Sequence, residues 1–307
     1  MKAVRVLARR LTLSGMHLIR FATASSTQVG VMEEDTVRPL ADTETLAQLL
    51  ALPLDRLRDV CADAEGPVLP VDSVRLLAPI DRRTEVWAAG VTYERSREAR
   101  VQESKDSADV YDRVYWAQRP ELFFKSVAWR VVGPGDRVSL RADSEVDVPE
   151  PELAVVLNRD ADVVGYTVCN DMSSRSIEGE NPLYLPQAKI YRGGCAIGPG
   201  IRPAWEIDDP YALTIELTIR RDGGVIWQGS AGTAGLRRRI DELSGYLFRE
   251  NEFPDGVVLS TGTSLVPELP FSLRAGDEIR IDISEVGTLT NAVMRGEDGD
   301  LPERRAN

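Results

Sequence analysis

Val148-Pro-Glu-Pro-Glu-Leu-Ala-Val-Val-Leu157, followed by Val163-Val-Gly-Tyr-Thr-Val168, sets the character of the chain. Both runs are apolar and rich in valine, and Asn158-Arg-Asp-Ala161 between them supplies turn residues, so they predict an antiparallel hairpin. Pro149 and Pro151 withhold two N–H donors, which suits the start of a strand or an edge. Glu150 and Glu152 stand two apart there, and a period of two places both carboxylates on one face. Asp171 follows the second strand in Cys169-Asn-Asp-Met172, and pairing the strands brings it beside the two glutamates. Three converging carboxylates without histidine or thiolate make a hard, oxygen-only site; Mg²⁺ is the expected ion, with Mn²⁺ or Ca²⁺ as alternatives.

Around this hairpin the strand signals dominate. Val86-Trp-Ala-Ala89, Leu122-Phe-Phe124, Arg137-Val-Ser-Leu-Arg141, Val257-Val-Leu-Ser260 and Asp277–Ser284 read as strands, and Leu213–Arg220 with Val225-Ile-Trp227 as a hairpin about Arg221-Asp-Gly-Gly224. Residues 235–250 read as one helix with Leu236, Ile240, Leu243 and Leu247 on one face. The charged stretch from Arg95 to Gln118 reads as a helix or a lid. Toward the N-terminus, residues 16–40 read as short strands, with Leu18–Phe21 and Gln28–Met32 as a hairpin, and 43–63 as helix broken at Pro53. Glu65-Gly-Pro-Val-Leu-Pro70 is a turn-rich linker. The expected organisation is a small N-terminal α+β domain over 16–78 and a β-rich catalytic domain over 79–300, α+β in class and not doubly wound. Residues 1–15 carry Lys2, Arg5, Arg9 and Arg10 without an acid; they are expected to be a disordered extension, with Met16 as the functional start.

Composition excludes several functions. Of 307 residues, 37 are basic and 49 acidic, a net −12 that repels phosphate backbones and anionic membranes, so neither nucleic acid nor membrane is an expected partner. No run approaches the ~18 apolar residues of a membrane helix. The three cysteines (Cys61, Cys169, Cys195) have no metal spacing and point to a reducing compartment, the cytoplasm. The single histidine, His17, removes Ser-His-Asp machinery and histidine-rich zinc sites; it reads as a strand or surface residue. Chemistry falls to carboxylates, lysines and a metal. Of four lysines, Lys125 and Lys189 lie in apolar contexts, unlike Lys2 and Lys105. A lysine beside a dication and away from water has its pKa lowered and can serve as a base.

Taken in order, Ala89-Gly-Val-Thr-Tyr93, Leu122-Phe-Phe-Lys125, Pro149-Glu-Pro-Glu-Leu153, Gly165-Tyr-Thr-Val-Cys-Asn-Asp171, Ala188-Lys189, Ile197-Gly-Pro199 and Ser260-Thr-Gly-Thr263 resemble the fumarylacetoacetate hydrolase family over roughly residues 79–291. The resemblance implies a mixed β-roll preceded by a small N-terminal domain, with the metal on Glu150, Glu152 and Asp171. Hydrolases of the family use a His and a Glu, three residues apart, to activate water; here those positions are Ser96 and Ala99. Arg119–Lys125, Asp171-Met-Ser-Ser-Arg175 and Ile177–Tyr191 resemble instead its 2-keto-3-deoxy-sugar-acid dehydratases, including those acting on the D-arabinonate or D-xylonate derivative. Ser176 and Arg192 stand where those enzymes commonly have Asp.

The resemblance therefore implies a Mg²⁺-dependent hydro-lyase of pentose oxidation, a cytoplasmic homo-oligomer whose partner is a small 2-keto acid and whose product is 2-oxoglutarate semialdehyde. Lys189 is the expected base at C3 and Glu121 the donor to the leaving hydroxyl. Lys125, Thr261 and Thr263 are expected to bind substrate, the Thr-Gly-Thr turn offering hydroxyls and N–H groups to its carboxylate. The competing readings are an acylpyruvate-type hydrolase or oxoacid decarboxylase on the same scaffold, and a silent relative, against which the intact Glu150, Glu152, Asp171 and Lys189 argue.

Overall fold

A computed structural model describes residues 15–64, 66–103 and 108–296, with the side chains of 99–109 left aside. The expected extension, save Gly15, and Lys2 and Lys105 lie outside the described residues.

Two mixed sheets form the body. In the eleven-stranded sheet, Cys195–Pro203, Val163–Asp171, Pro151–Leu157, Val257–Ser260, Glu85–Gly90 and Glu121–Val127 lie side by side in that order. Beyond Cys195–Pro203 the sheet continues into Met16–Ala22, Thr27–Glu33, Thr36–Pro39 and Leu69–Pro70, with Arg75–Leu77 also on Met16–Ala22. The five-stranded sheet runs Gly224–Gly232, Thr214–Arg221, Glu278–Ile283, Gly287–Arg295, Arg137–Leu140. One pair in each sheet is parallel: Val257–Ser260 on Glu85–Gly90, and Gly287–Arg295 on Arg137–Leu140.

The hairpin expected at Pro151–Leu157 and Val163–Asp171 is present, with Pro151 opposite Asn170 and Glu152 opposite Cys169. Its strands are buried on both faces. Leu153, Val155 and Leu157 pack with Ile215, Leu217, Ile281 and Leu289 of the smaller sheet. Ala154 and Val156 join Leu46, Leu49, Leu50 and Leu57 of the helices Leu46–Leu50 and Leu54–Ala62. Alternate residues thus serve two cores, each buried valine or leucine contributing about 1.5–3 kcal/mol. Pro53 separates the two short helices, as its position predicts.

Three readings need correction. The helix expected over 235–250 spans only Ile240–Leu247. Gly235 closes a 3-10 turn, and the residues after it are held out of the helix by tertiary contacts: Arg238 donates to the Gln118, Val114 and Ala117 carbonyls at the end of the Ala108–Trp116 helix, and Arg237 stacks 4.2 Å from the Trp116 ring centroid. Cys195–Pro203 is a central strand despite Gly198, Pro199 and Gly200; Gly200 sits where a Cβ would press on Ile19 and the Leu18 carbonyl. Gly287–Arg295 also went unread, its apolar positions being diluted by threonines. The charged stretch after Tyr93 contains two helices, Glu94–Glu103 and Ala108–Trp116. His17 is a wholly buried strand residue; its Nε2 donates to the Val286 carbonyl at 2.9 Å, and burial lowers its pKa.

Candidate active site

The hairpin delivers the carboxylates. The Asp171 N–H donates to the Glu150 carbonyl at 2.9 Å, fixing the end of one strand against the start of the other. Glu150, Glu152 and Asp171 are all buried, each offering an oxygen within 4.8 Å of the others'. In each carboxylate one oxygen is clamped. Glu150 Oε1 lies 3.0 Å from Arg175, which opens the helix Arg175–Glu180. Glu152 Oε2 accepts from Ser260 Oγ at 2.6 Å and the Gly262 N–H at 2.9 Å. Asp171 Oδ1 lies 2.5 Å from Lys125 Nζ. Gly262 makes its donation at φ +93°, and a Cβ there would collide with Thr92 Oγ1, so the turn requires glycine.

Lys189, the last residue of the helix Leu185–Lys189, is buried; its ammonium donates to Glu150 Oε2 at 2.7 Å, Asp171 Oδ2 at 3.1 Å and Ser173 Oγ at 2.6 Å. These groups face a cavity also lined by Glu121, Ser96, Tyr111, Phe123, Glu178 and Thr263. Glu121 opens the strand Glu121–Val127 opposite Gly90, where a Cβ would collide with its carboxylate. Ser96 Oγ donates to the Tyr93 carbonyl at 2.9 Å.

Of the residues read from the sequence, Glu150, Glu152, Asp171, Lys189, Glu121 and Thr263 line this cavity, while Lys125 and Thr261 do not. Thr261 is committed to the backbone, its hydroxyl donating to the Leu153 carbonyl at 2.8 Å and its carbonyl accepting from Thr92 at 2.7 Å. Lys125 lies behind Asp171, 1% exposed. Ser173, Arg175, Ser260 and Gly262 went without a role although each sits inside a motif already singled out. Ser173 and Arg175 follow Asp171 within four residues, whereas Ser260 and Gly262 have no acid near them in the sequence.

Burial first, and then the Asp171 carboxylate, push the Glu152 carboxyl well above its ordinary range. Burial, followed by Glu152, also raises the Tyr93 hydroxyl. A dication among these oxygens would oppose that shift by favouring the charged form of Glu152. The donors are oxygen-only, buried and partly clamped, so the residues fit Mg²⁺. No helix among the described residues is long and apolar enough to cross a membrane.

Residues 85–294 match the family profile described as fumarylacetoacetate (FAA) hydrolase C-terminal, and residues 16–79 the profile described as Rv2993c-like, N-terminal. Over 285 residues the chain is 45% identical to a Haloferax volcanii protein named probable 2-keto-3-deoxyxylonate dehydratase, covering 92% of this chain and 98% of that one. It is 39% identical over 298 residues to the 2-dehydro-3-deoxy-D-arabinonate dehydratase of Saccharolobus solfataricus, covering 96% and 97%. A solved structure of 2-keto-3-deoxy-D-arabinonate dehydratase complexed with magnesium and 2,5-dioxopentanoate superposes with a TM-score of 0.79 at 37% identity, over 92% of this chain and 99% of that one.

Proposed function

The chain belongs to the fumarylacetoacetate hydrolase family, and from that premise we propose that it is a Mg²⁺-dependent hydro-lyase converting 2-keto-3-deoxy-D-arabinonate to 2-oxoglutarate semialdehyde and water. The arabinonate and xylonate names of the relatives describe one compound: C2 and C3 have lost their stereocentres, and the two D-sugars share C4. 2,5-Dioxopentanoate is the systematic name of the semialdehyde. The observation that carries the reading is the pairing of Lys189 and Glu121 in one cavity, while Ser96, standing where a hydrolase has its histidine, is tied to Tyr93.

A bound dication supplies Lewis-acid polarisation of the substrate's 2-keto oxygen. A dication held by Glu150, Glu152 and Asp171 would disfavour the charged form of Lys189, whose ammonium would give one proton to solvent water and leave the neutral amine. Lys189 then takes a proton from C3 while Ser173 holds its Nζ in place. Glu121, entering as the acid, gives its proton to the C4 hydroxyl, which leaves as water with the C4–O electrons. Glu121 is then the carboxylate that accepts a C5 proton, and Lys189 returns its proton to C3. The resulting C5 enol tautomerises to the aldehyde, and both residues regain their starting states. Thr263 stands on the cavity wall, its hydroxyl donating to the Leu265 carbonyl at 3.0 Å, so a contact with the substrate's carboxylate would require that bond to be exchanged.

Three unpaired thiols support action in the cytoplasm. Exposed Val225 and Ile226 on the outer strand of the smaller sheet support a homo-oligomer, which light scattering would read directly. The functional test is product identification. With Mg²⁺ and 2-keto-3-deoxy-D-arabinonate, an aldehyde reagent should trap the semialdehyde. Pyruvate released from an acylpyruvate, with no aldehyde from the pentonate, would replace this reading with the hydrolase.

A further inference from the structure

Lys125 is absent from the cavity wall, yet it is among the most completely buried large side chains described. Its ammonium meets three oxygens and lies 5.8 Å from the Tyr191 ring centroid. It donates to the Met172 carbonyl at 3.0 Å and to the Lys189 carbonyl at 2.6 Å, and it lies 2.5 Å from Asp171 Oδ1. Two N–H groups meet backbone carbonyls and the charge is paired with Asp171, so the ammonium faces the ligand-bearing backbone and not the cavity. Burying an ammonium costs several kcal/mol, and a buried ion pair is often no more stabilising than an apolar pair of the same volume. A charge kept here at that cost calls for a role other than stability.

The acceptors identify it. Asp171 is a ligand-bearing side chain, Met172 is the backbone beside it, and Lys189 is the final residue of the helix that presents the base. The Lys189 carbonyl is at the negative end of that helix, where a cation is favoured. We propose that Lys125 is a positioning residue. It holds Asp171 Oδ2 toward the metal and fixes the backbone of Lys189 at a set distance from the same carboxylate, so that one side chain ties the ligand to the base. This rests on reading the three carboxylates as the magnesium site. Arg175 on Glu150, and Ser260 with Gly262 on Glu152, clamp the other two carboxylates.

The test compares Lys125→Met, which removes every donor, with Lys125→Gln, which keeps an N–H donor but removes the charge. Mg²⁺ affinity is measured by calorimetry without substrate, so the result does not depend on which 2-keto acid is used. The expected outcome is about 10–100-fold weaker Mg²⁺ binding in both variants, the scale for residues that orient a ligand. At saturating Mg²⁺, kcat should fall while KM for the keto acid stays within about twofold, with Lys125→Gln the less impaired. Raised KM with unaltered Mg²⁺ affinity would make Lys125 a substrate-binding residue and overturn the proposal. So would a lowered melting temperature with wild-type Mg²⁺ affinity and kcat, which would mark a purely structural role. If Lys125→Met does not fold, Lys125→Gln decides. Loss of dehydratase activity against every pentonate with the Mg²⁺ result intact would strike the proposed reaction and leave the positioning role standing.

Discussion

Thr214–Arg221 and Pro151–Leu157 are strands of similar length with opposite surroundings. The first alternates, with Ile215, Leu217 and Ile219 buried while Thr214 and Glu216 are exposed. The second is buried at every position. In the first, an outward polar residue is the default and carries no functional information. In the second, each ionised group has to be compensated, because desolvating it costs several kcal/mol. Glu152 is compensated by Ser260 and Gly262, and its neighbours Glu150 and Asp171 by Arg175, Lys125 and Lys189. The same residue type therefore means solubility on one strand and chemistry on the other, and burial on both faces is what separates them.

Five substitutions grade that contrast. Glu150→Gln or Asp171→Asn should lower activity by more than about 100-fold and weaken Mg²⁺ binding in calorimetry, because each removes one of the three anionic ligands proposed for the metal. Full wild-type activity in EDTA would break the contrast at its root. Asp147 tests a buried carboxylate on the neighbouring short strand Asp147–Val148, where burial raises its pKa to about 6. A raised acid pKa favours the protonated native state, so the contribution is present below the unfolded pKa and is lost as pH rises through about 6. Asp147→Asn should therefore stabilise the protein at pH 8, by roughly 2–3 kcal/mol, and by almost nothing at pH 4, as thermal melts would read. Ser96→Ala should reduce turnover by far less than the roughly 100-fold that marks a lost acid–base group. Abolished activity at wild-type stability would give Ser96 a catalytic role. The smallest effect belongs to Glu216→Gln, which should leave activity unchanged and alter stability by less than about 0.5 kcal/mol in a denaturant titration. Glu216 stands opposite Asp282, so any change should be a gain.

The carboxylate site was legible because its geometry is local. A short turn and a period of two are enough to bring Glu150, Glu152 and Asp171 together. The clamps were not legible: Arg175, Ser260 and Gly262 approach from other elements, and their pairing depends on strand order across the sheet. The same limit applies to Cys195–Pro203. Its glycines and prolines argue against a strand, yet the strand forms because Met16–Ala22 and Val163–Asp171 supply partners on both sides. The helix over 235–250 was overread for the complementary reason. Leu236 has helical spacing, but Arg237 and Arg238 are drawn away by aromatic rings and carbonyls far along the chain. The apolar context of Lys125 signalled burial correctly; it did not reveal which side of Asp171 the ammonium would occupy.

The central claim is that Lys189, held against two buried carboxylates, moves the C3 proton. Hydrogen–deuterium exchange at C3, followed by NMR in D₂O with Mg²⁺ present, tests it without requiring the hydroxyl to leave. Wild type should exchange these protons. Lys189→Met, with fold and Mg²⁺ binding retained, should slow the exchange by about 100-fold or more. Exchange at the wild-type rate in Lys189→Met would contradict the account and pass the role of base to another group on the cavity wall, with Glu121 first in line.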